Sequence, residues 1–154
     1  MFDLVYKFFC RFQSEIYELI DAIHYDDASV DRTSDYYYNP NYGTLTHSDG
    51  YYTLSMNGVA NYVNIKSAIG NNVKGTTFNF EVDVVLNGAS VRTRVYEGTT
   101  PIASSPYTAS DGTITLENVT VPSDSTNNIS IRLERRYNND GDSIKFKNYT
   151  IYPV

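Results

Sequence analysis

The stretch Thr76-Thr77-Phe78-Asn79-Phe80-Glu81-Val82-Asp83-Val84-Val85-Leu86 decides the fold. Phe78, Phe80, Val82, Val84 and Leu86 recur at every second position, with Asn79, Glu81 and Asp83 between them. Successive side chains of a strand point to opposite faces, so this period of two describes a strand with one buried and one wet face. Asn87-Gly88 follows as a turn signal, because both residue types tolerate left-handed backbone. The alternation resumes over 91–97, with Val91, Thr93 and Val95 on one face and Arg92, Arg94 and Tyr96 on the other.

Working outward, turn residues recur at short intervals and further strands are predicted over 44–47, 51–56, 60–66, 113–121, 128–135 and 143–152. Ser48-Asp49-Gly50 reads as a hairpin turn between the first two of these. In 128–135 the inward set is Ile129, Ile131 and Leu133. In the last strand the inward phase runs through Ile144 and Phe146, then jumps to Tyr149 and Ile151. A phase slip of one residue near Asn148 predicts a β-bulge. About nine antiparallel strands with no helix between them predict an all-β, jelly-roll-type sandwich over 25–154.

Residues 1–24 differ. They contain no Gly or Pro, and Phe2, Val5, Phe9, Phe12, Ile16, Leu19 and Ile23 are spaced alternately by three and four. That is the apolar seam of a coiled coil, preceding the sandwich as one N-terminal helix. The stripe can pack on the sandwich of its own chain or drive self-association. Bulky Phe and β-branched Ile in the seam favour three strands or more, so a homotrimer is expected. Lys7 and Arg11 interrupt the apolar run, no small-residue cleavage site follows it, and a secretory signal is not expected.

Composition narrows function. The chain has 154 residues, 41% apolar and 19% charged, with twelve Lys/Arg against eighteen Asp/Glu and a net charge of −6. Nucleic-acid and anionic-membrane binders need a basic surplus, so neither partner is expected. Cys10 is the sole cysteine, which excludes an intrachain disulfide. No nucleophile elbow, Cys/His frame or phosphate-binding glycine loop is present, and no enzyme is expected. Glu81 and Asp83 share a strand face at a separation usable in glycoside hydrolysis. Were 87–90 a hairpin loop, however, Asp83 would oppose Arg94, and a guanidinium holds a carboxylate ionised, unsuited to general-acid work. The expected role of Glu81, Asp83, Arg92 and Arg94 is a solvated charge ladder, continued by Arg132, Glu134 and Arg136.

Asp26, Asp27 and Asp31, and separately Asp140 and Asp142, supply the hard oxygen donors that suit calcium. Neither group has the ligand spacing of an EF-hand, and acidic residues also serve turns. No cofactor is therefore expected. The fifteen tyrosines, with no Trp, are the third feature. Tyr36, Tyr37, Tyr38 and Tyr42 cluster near the start of the sandwich. An exposed Tyr offers a flat apolar face with a polar tip, suited to stacking on a sugar. The alternative is that these tyrosines fill the core or a subunit contact.

Tyr25-Asp26-Asp27-Ala28-Ser29-Val30-Asp31, then Tyr36, Gly43-Thr44-Leu45 and Asp49-Gly50-Tyr51-Tyr52-Thr53-Leu54, together resemble the opening of carbohydrate-binding-module and laminin-G-like sandwiches. Ile144-Lys145-Phe146-Lys147-Asn148-Tyr149-Thr150-Ile151 resembles their terminal strand. The resemblance implies a jelly roll and glycan binding. It departs in having no Trp, and in placing Lys147 where these modules often carry a calcium-binding Asp. A short coiled coil followed by such a head also resembles phage and viral appendage proteins. The leading expectation is thus a trimeric, non-catalytic virion component that meets other virion proteins and a host surface glycan. The alternative is a carbohydrate-binding module of a cell-surface or carbohydrate-active protein.

Overall fold

The computed structural model describes residues 24–41, 43–56, 62–65, 73–136 and 141–154. Phe2, Val5, Phe9, Phe12, Ile16, Leu19 and Ile23, and with them the expected helix and trimer seam, lie outside the described residues.

Eleven strands are present among the described residues: β1 (His24–Asp26), β2 (Tyr36–Tyr38), β3 (Gly43–Ser48), β4 (Tyr51–Met56), β5 (Tyr62–Ile65), β6 (Thr77–Asn87), β7 (Ser90–Glu97), β8 (Thr100–Ser104), β9 (Gly112–Thr120), β10 (Ile129–Arg136) and β11 (Ser143–Pro153). They form two antiparallel sheets. Sheet A runs β3-β4-β11-β6-β9, with β1 also paired to β11, and sheet B runs β2-β5-β10-β7-β8. The chain crosses repeatedly between them, as in a jelly roll. Among the described residues no helix is long and apolar enough to cross a membrane.

Alternation along each strand builds the core. Phe78, Phe80, Val82 and Val84 of β6, Ile129, Ile131 and Leu133 of β10, and Ile144, Phe146, Tyr149 and Ile151 of β11 are all buried. Each such side chain contributes roughly 1.5–3 kcal/mol when fully withdrawn from water. The predicted bulge is present: the β6–β11 register shifts between Lys147 and Thr150. Asn148 takes a left-handed φ of 51° there, which Asn tolerates better than most residues. The β3–β4 hairpin turns on Asp49 (φ 53°) and Gly50 (φ 70°), two consecutive left-handed residues that suit strand twist.

Two expectations are corrected. The segment 87–90 is a crossover between sheets and not a hairpin loop, since β6 lies in sheet A and β7 in sheet B. Asp83 therefore does not oppose Arg94, and the four-residue ladder is divided between two outer faces. The second correction concerns β1, β2 and β8, which the sequence pattern does not mark. β1 and β2 span only three residues each, too short for a period to show, and β8 is largely exposed.

Candidate functional site

The tyrosines of β2 separate by strand parity. Tyr36 points inward, is 4% exposed, and stacks with Tyr52 at a centroid distance of 5.0 Å and with Phe146 at 5.5 Å. Its hydroxyl donates to Oδ2 of Asp26 at 2.8 Å. Burial, reinforced by the Asp26 charge, pushes the Tyr36 hydroxyl well above the ordinary tyrosine pKa. Tyr36 is a core residue with no ring face available for a sugar. Tyr38 is partly buried against the same core. Tyr37 points outward between them and is 52% exposed. Tyr42 lies outside the described residues.

Sheet register carries Tyr37 into a larger arrangement. Tyr37 pairs with Asn64, Asn64 with Arg132, Arg132 with Arg94, and Arg94 with Ser104. Tyr37, Arg132, Arg94 and Ser104 of this row share the outer face of sheet B, from β2 to β8. Four strand spacings of about 4.8 Å give the row a length of roughly 19 Å. Its centre is an ordered polar and aromatic cluster. The Arg132 guanidinium lies 4.1 Å from the Tyr96 ring centroid, and that of Arg94 lies 5.7 Å from it. Arg94 also donates to the Tyr96 hydroxyl at 2.9 Å and to Oγ of Ser104 at 3.0 Å. Tyr96 in turn donates to Oε1 of Glu134 at 2.6 Å. Glu134 Oε2 receives Nε of Arg92 at 3.1 Å and lies 3.6 Å from Arg94. Burial first, and the Glu134 contact second, raise the Tyr96 pKa, so its hydroxyl remains a donor. A second ring, Tyr107, carries Arg92 at 4.4 Å and Arg136 at 5.2 Å.

Alternation in β7 and β10 signals the outward set Arg92, Arg94, Tyr96, Arg132, Glu134 and Arg136. Their assembly around two tyrosine rings follows from the β7–β10 pairing, which spans about forty residues of sequence and has no local signature. Tyr107 lies in a loop and carries no periodic signal at all.

Several carboxylates outside this face are engaged by neutral donors. Glu81 Oε1 accepts from the Tyr152 hydroxyl at 2.9 Å, and Asp83 accepts from Thr113 and from Nδ2 of Asn148, both at 2.6 Å. Asp26 is buried and committed to tyrosine hydroxyls. Asp27 and Asp31 close local turns onto the amides of Ser29 and Thr33, each at 2.9 Å. The side chain and amide of Ser29 lower the Asp27 pKa, and the amide and side chain of Thr33 lower that of Asp31. Asp142 lies 3.8 Å from the buried Arg135 guanidinium, and Asp140 is outside the described residues. Among the described residues no three metal-ligating side chains converge. Lys147 extends over the ring of Tyr51 at 4.7 Å.

The fold is a jelly-roll β-sandwich like that of several solved carbohydrate-binding modules. A CBM4 module matches at a TM-score of 0.58 and 14% identity, covering 79% of this chain and 96% of that one. The CBM22-1 xylan-binding domain of Paenibacillus barcinonensis Xyn10C matches at 0.62 and 9% identity, covering 87% and 95%. TmCBM61, solved with β-1,4-galactotriose, matches at 0.55 and 8% identity, covering 79% and 90%. At these identities the likeness establishes the fold. No protein-family model and no curated protein sequence matches the chain. The expectation of a fibre head, tail tip or capsid decoration is corrected by these matches, which turn the reading towards the glycan-binding alternative.

Proposed function

We propose that the protein is a non-catalytic glycan-binding module whose binding surface is the outer face of sheet B. The observation that carries this reading is the exposed Tyr37 ring, in register with the Arg132–Arg94–Ser104 row. A stacking ring at one end and a line of fixed donors beyond it match an extended saccharide, which offers apolar ring faces and hydroxyl edges in alternation. The solved modules of this fold include a xylan-binding domain and one holding a β-1,4-galactotriose, which supports an extended polysaccharide as ligand. Such a ligand belongs to cell walls and extracellular matrices, and the protein works where it meets them.

The test is calorimetric titration and affinity electrophoresis of wild type and Tyr37→Ala against a panel of xylan, galactan and uronate polymers. Tyr37→Ala is expected to abolish binding with the melting temperature unchanged, since the side chain lies outside the core. Equal binding by the variant, or no binding of any polymer by wild type, overturns the reading.

A further inference from the structure

We propose that the glycan taken by this face is acidic, and that its arginines receive the carboxylates of a uronate-containing polysaccharide; the proposal rests on sheet B being the glycan face. The chain carries a net charge of −6, so a surface drawn from it without regard to sign would be acidic. The outer face of sheet B reverses this. Among the described residues, the outward positions of β7 and β10 present Arg92, Arg94, Arg132 and Arg136 against the single carboxylate of Glu134. However these groups pair with one another, the balance stays positive.

The choice and mounting of the cations point the same way. All four are Arg, whose planar fork matches a carboxylate with two parallel hydrogen bonds, where Lys offers a strongly hydrated point charge. Each lies near a tyrosine ring, Arg94 and Arg132 at Tyr96, Arg92 and Arg136 at Tyr107. Contact with a ring limits the side chain's freedom before any ligand arrives, which lowers the ordering cost of binding. Arg132 and Arg136 are four residues apart on one strand, roughly 13 Å, so they can meet carboxylates on separate sugars. Nucleic acid fits less well, because its affinity comes from many phosphate contacts and the rest of this protein repels a polyanion of that charge density.

The experiment uses the full chain and three polyuronates (polygalacturonate, alginate and glucuronoxylan), each beside the same polymer after chemical reduction of its carboxyl groups to alcohols. At least one polyuronate is expected to bind roughly tenfold or more tighter than its reduced form, as loss of a charge-assisted hydrogen bond implies. Added salt should erode that preference. Arg132→Gln/Arg136→Gln should abolish it; if the double variant melts lower than wild type, Arg136→Gln alone, at an exposed position, should still reduce it. Equal affinity for the acidic and reduced polymers overturns the proposal while leaving the glycan face standing, provided Tyr37→Ala still abolishes binding. A preference that survives in the folded variants overturns it too. So does equally tight binding of a single-stranded DNA oligonucleotide, which would mark the face as a general polyanion site. Absence of binding to every polymer removes both readings together.

Discussion

Tyr52 of β4 donates its hydroxyl hydrogen to Oδ2 of Asp26 at 2.8 Å, the same oxygen that receives the hydroxyl of Tyr36. The other carboxylate oxygen takes the amide of Ala28 at 2.9 Å, so the buried charge of Asp26 is held entirely by neutral donors. This network joins β1, β2 and β4, and thereby both sheets, at one end of the sandwich. Truncation would strand the buried Tyr36 hydroxyl, at a cost of about 1–3 kcal/mol, whereas the Tyr52 hydroxyl keeps the Val30 carbonyl as an acceptor at 3.0 Å. Asp26→Ala is expected to lower unfolding stability by roughly 2–3 kcal/mol, and Tyr36→Phe by about 1–2 kcal/mol. Urea denaturation measures both, and a loss below about 0.5 kcal/mol in Asp26→Ala would show the network to be dispensable.

Alkali should unfold this protein steeply. Burial raises the hydroxyl pKa values of Tyr36, Tyr52 and Tyr149 above the ordinary tyrosine value of 10.0, with hydrogen bonding to Asp26 adding to the first two. Below that pH, folded and unfolded chains both keep these protons and stability is unaffected. Above it the unfolded chain releases them first, so stability falls by about 1.4 kcal/mol per pH unit for each tyrosine. The share of tyrosinate absorbance that belongs to these three residues is therefore expected to appear together with loss of β-sheet circular dichroism, in one cooperative step above pH 10, after the exposed tyrosines have ionised. Gradual ionisation of all fifteen tyrosines in a folded protein would contradict the packing described.

The strands legible in the sequence were those long enough to show a period, and β6, β10 and β11 carry most of the core they announced. Parity also placed the Asn148 bulge, because a phase slip between Phe146 and Tyr149 has no other simple cause. Pairing partners were not legible. Whether Asn87-Gly88 closes a hairpin or passes to the other sheet depends on what flanks Val84 and Leu86, namely β11 and β9, and those contacts are distant in sequence. Of the candidate glycan tyrosines, Tyr36 and Tyr37 are adjacent and identical, and only the strand's orientation in sheet B assigns one to the core and the other to solvent.

Thr93 offers a stabilising change. It occupies an inward position of β7, fully buried, and its Oγ1 has no hydrogen-bond partner among the described residues. The backbone of Thr93 is already satisfied, its amide donating to Oγ of Ser105 and its carbonyl accepting the Ser105 amide, both at 2.9 Å. Thr93→Val replaces an unpaired hydroxyl by a methyl of similar shape and should add about 1 kcal/mol. The melting temperature is expected to rise by about 2–4 °C in a calorimetric scan. A fall would mean that a buried water serves the hydroxyl.

Gly88 bears the opposite expectation. It stands in the crossover from β6 to β7 with a left-handed φ of 73°, and a Cβ added there would collide with the carboxylate of Asp142. That carboxylate lies 3.8 Å from the Arg135 guanidinium, which occupies an inward position of β10 and is itself buried. Gly88→Ala thus combines left-handed strain of roughly 1–2 kcal/mol with displacement of the acid beside a buried cation. A loss of about 2–4 kcal/mol is expected, against about 1–2 kcal/mol for Gly50→Ala, which carries the strain alone because nothing stands within 4 Å of a Cβ at Gly50. The pair of variants isolates the contact from the backbone conformation. Equal losses in both would show that the crossover needs glycine only for its φ, and that Asp142 moves aside without consequence for Arg135.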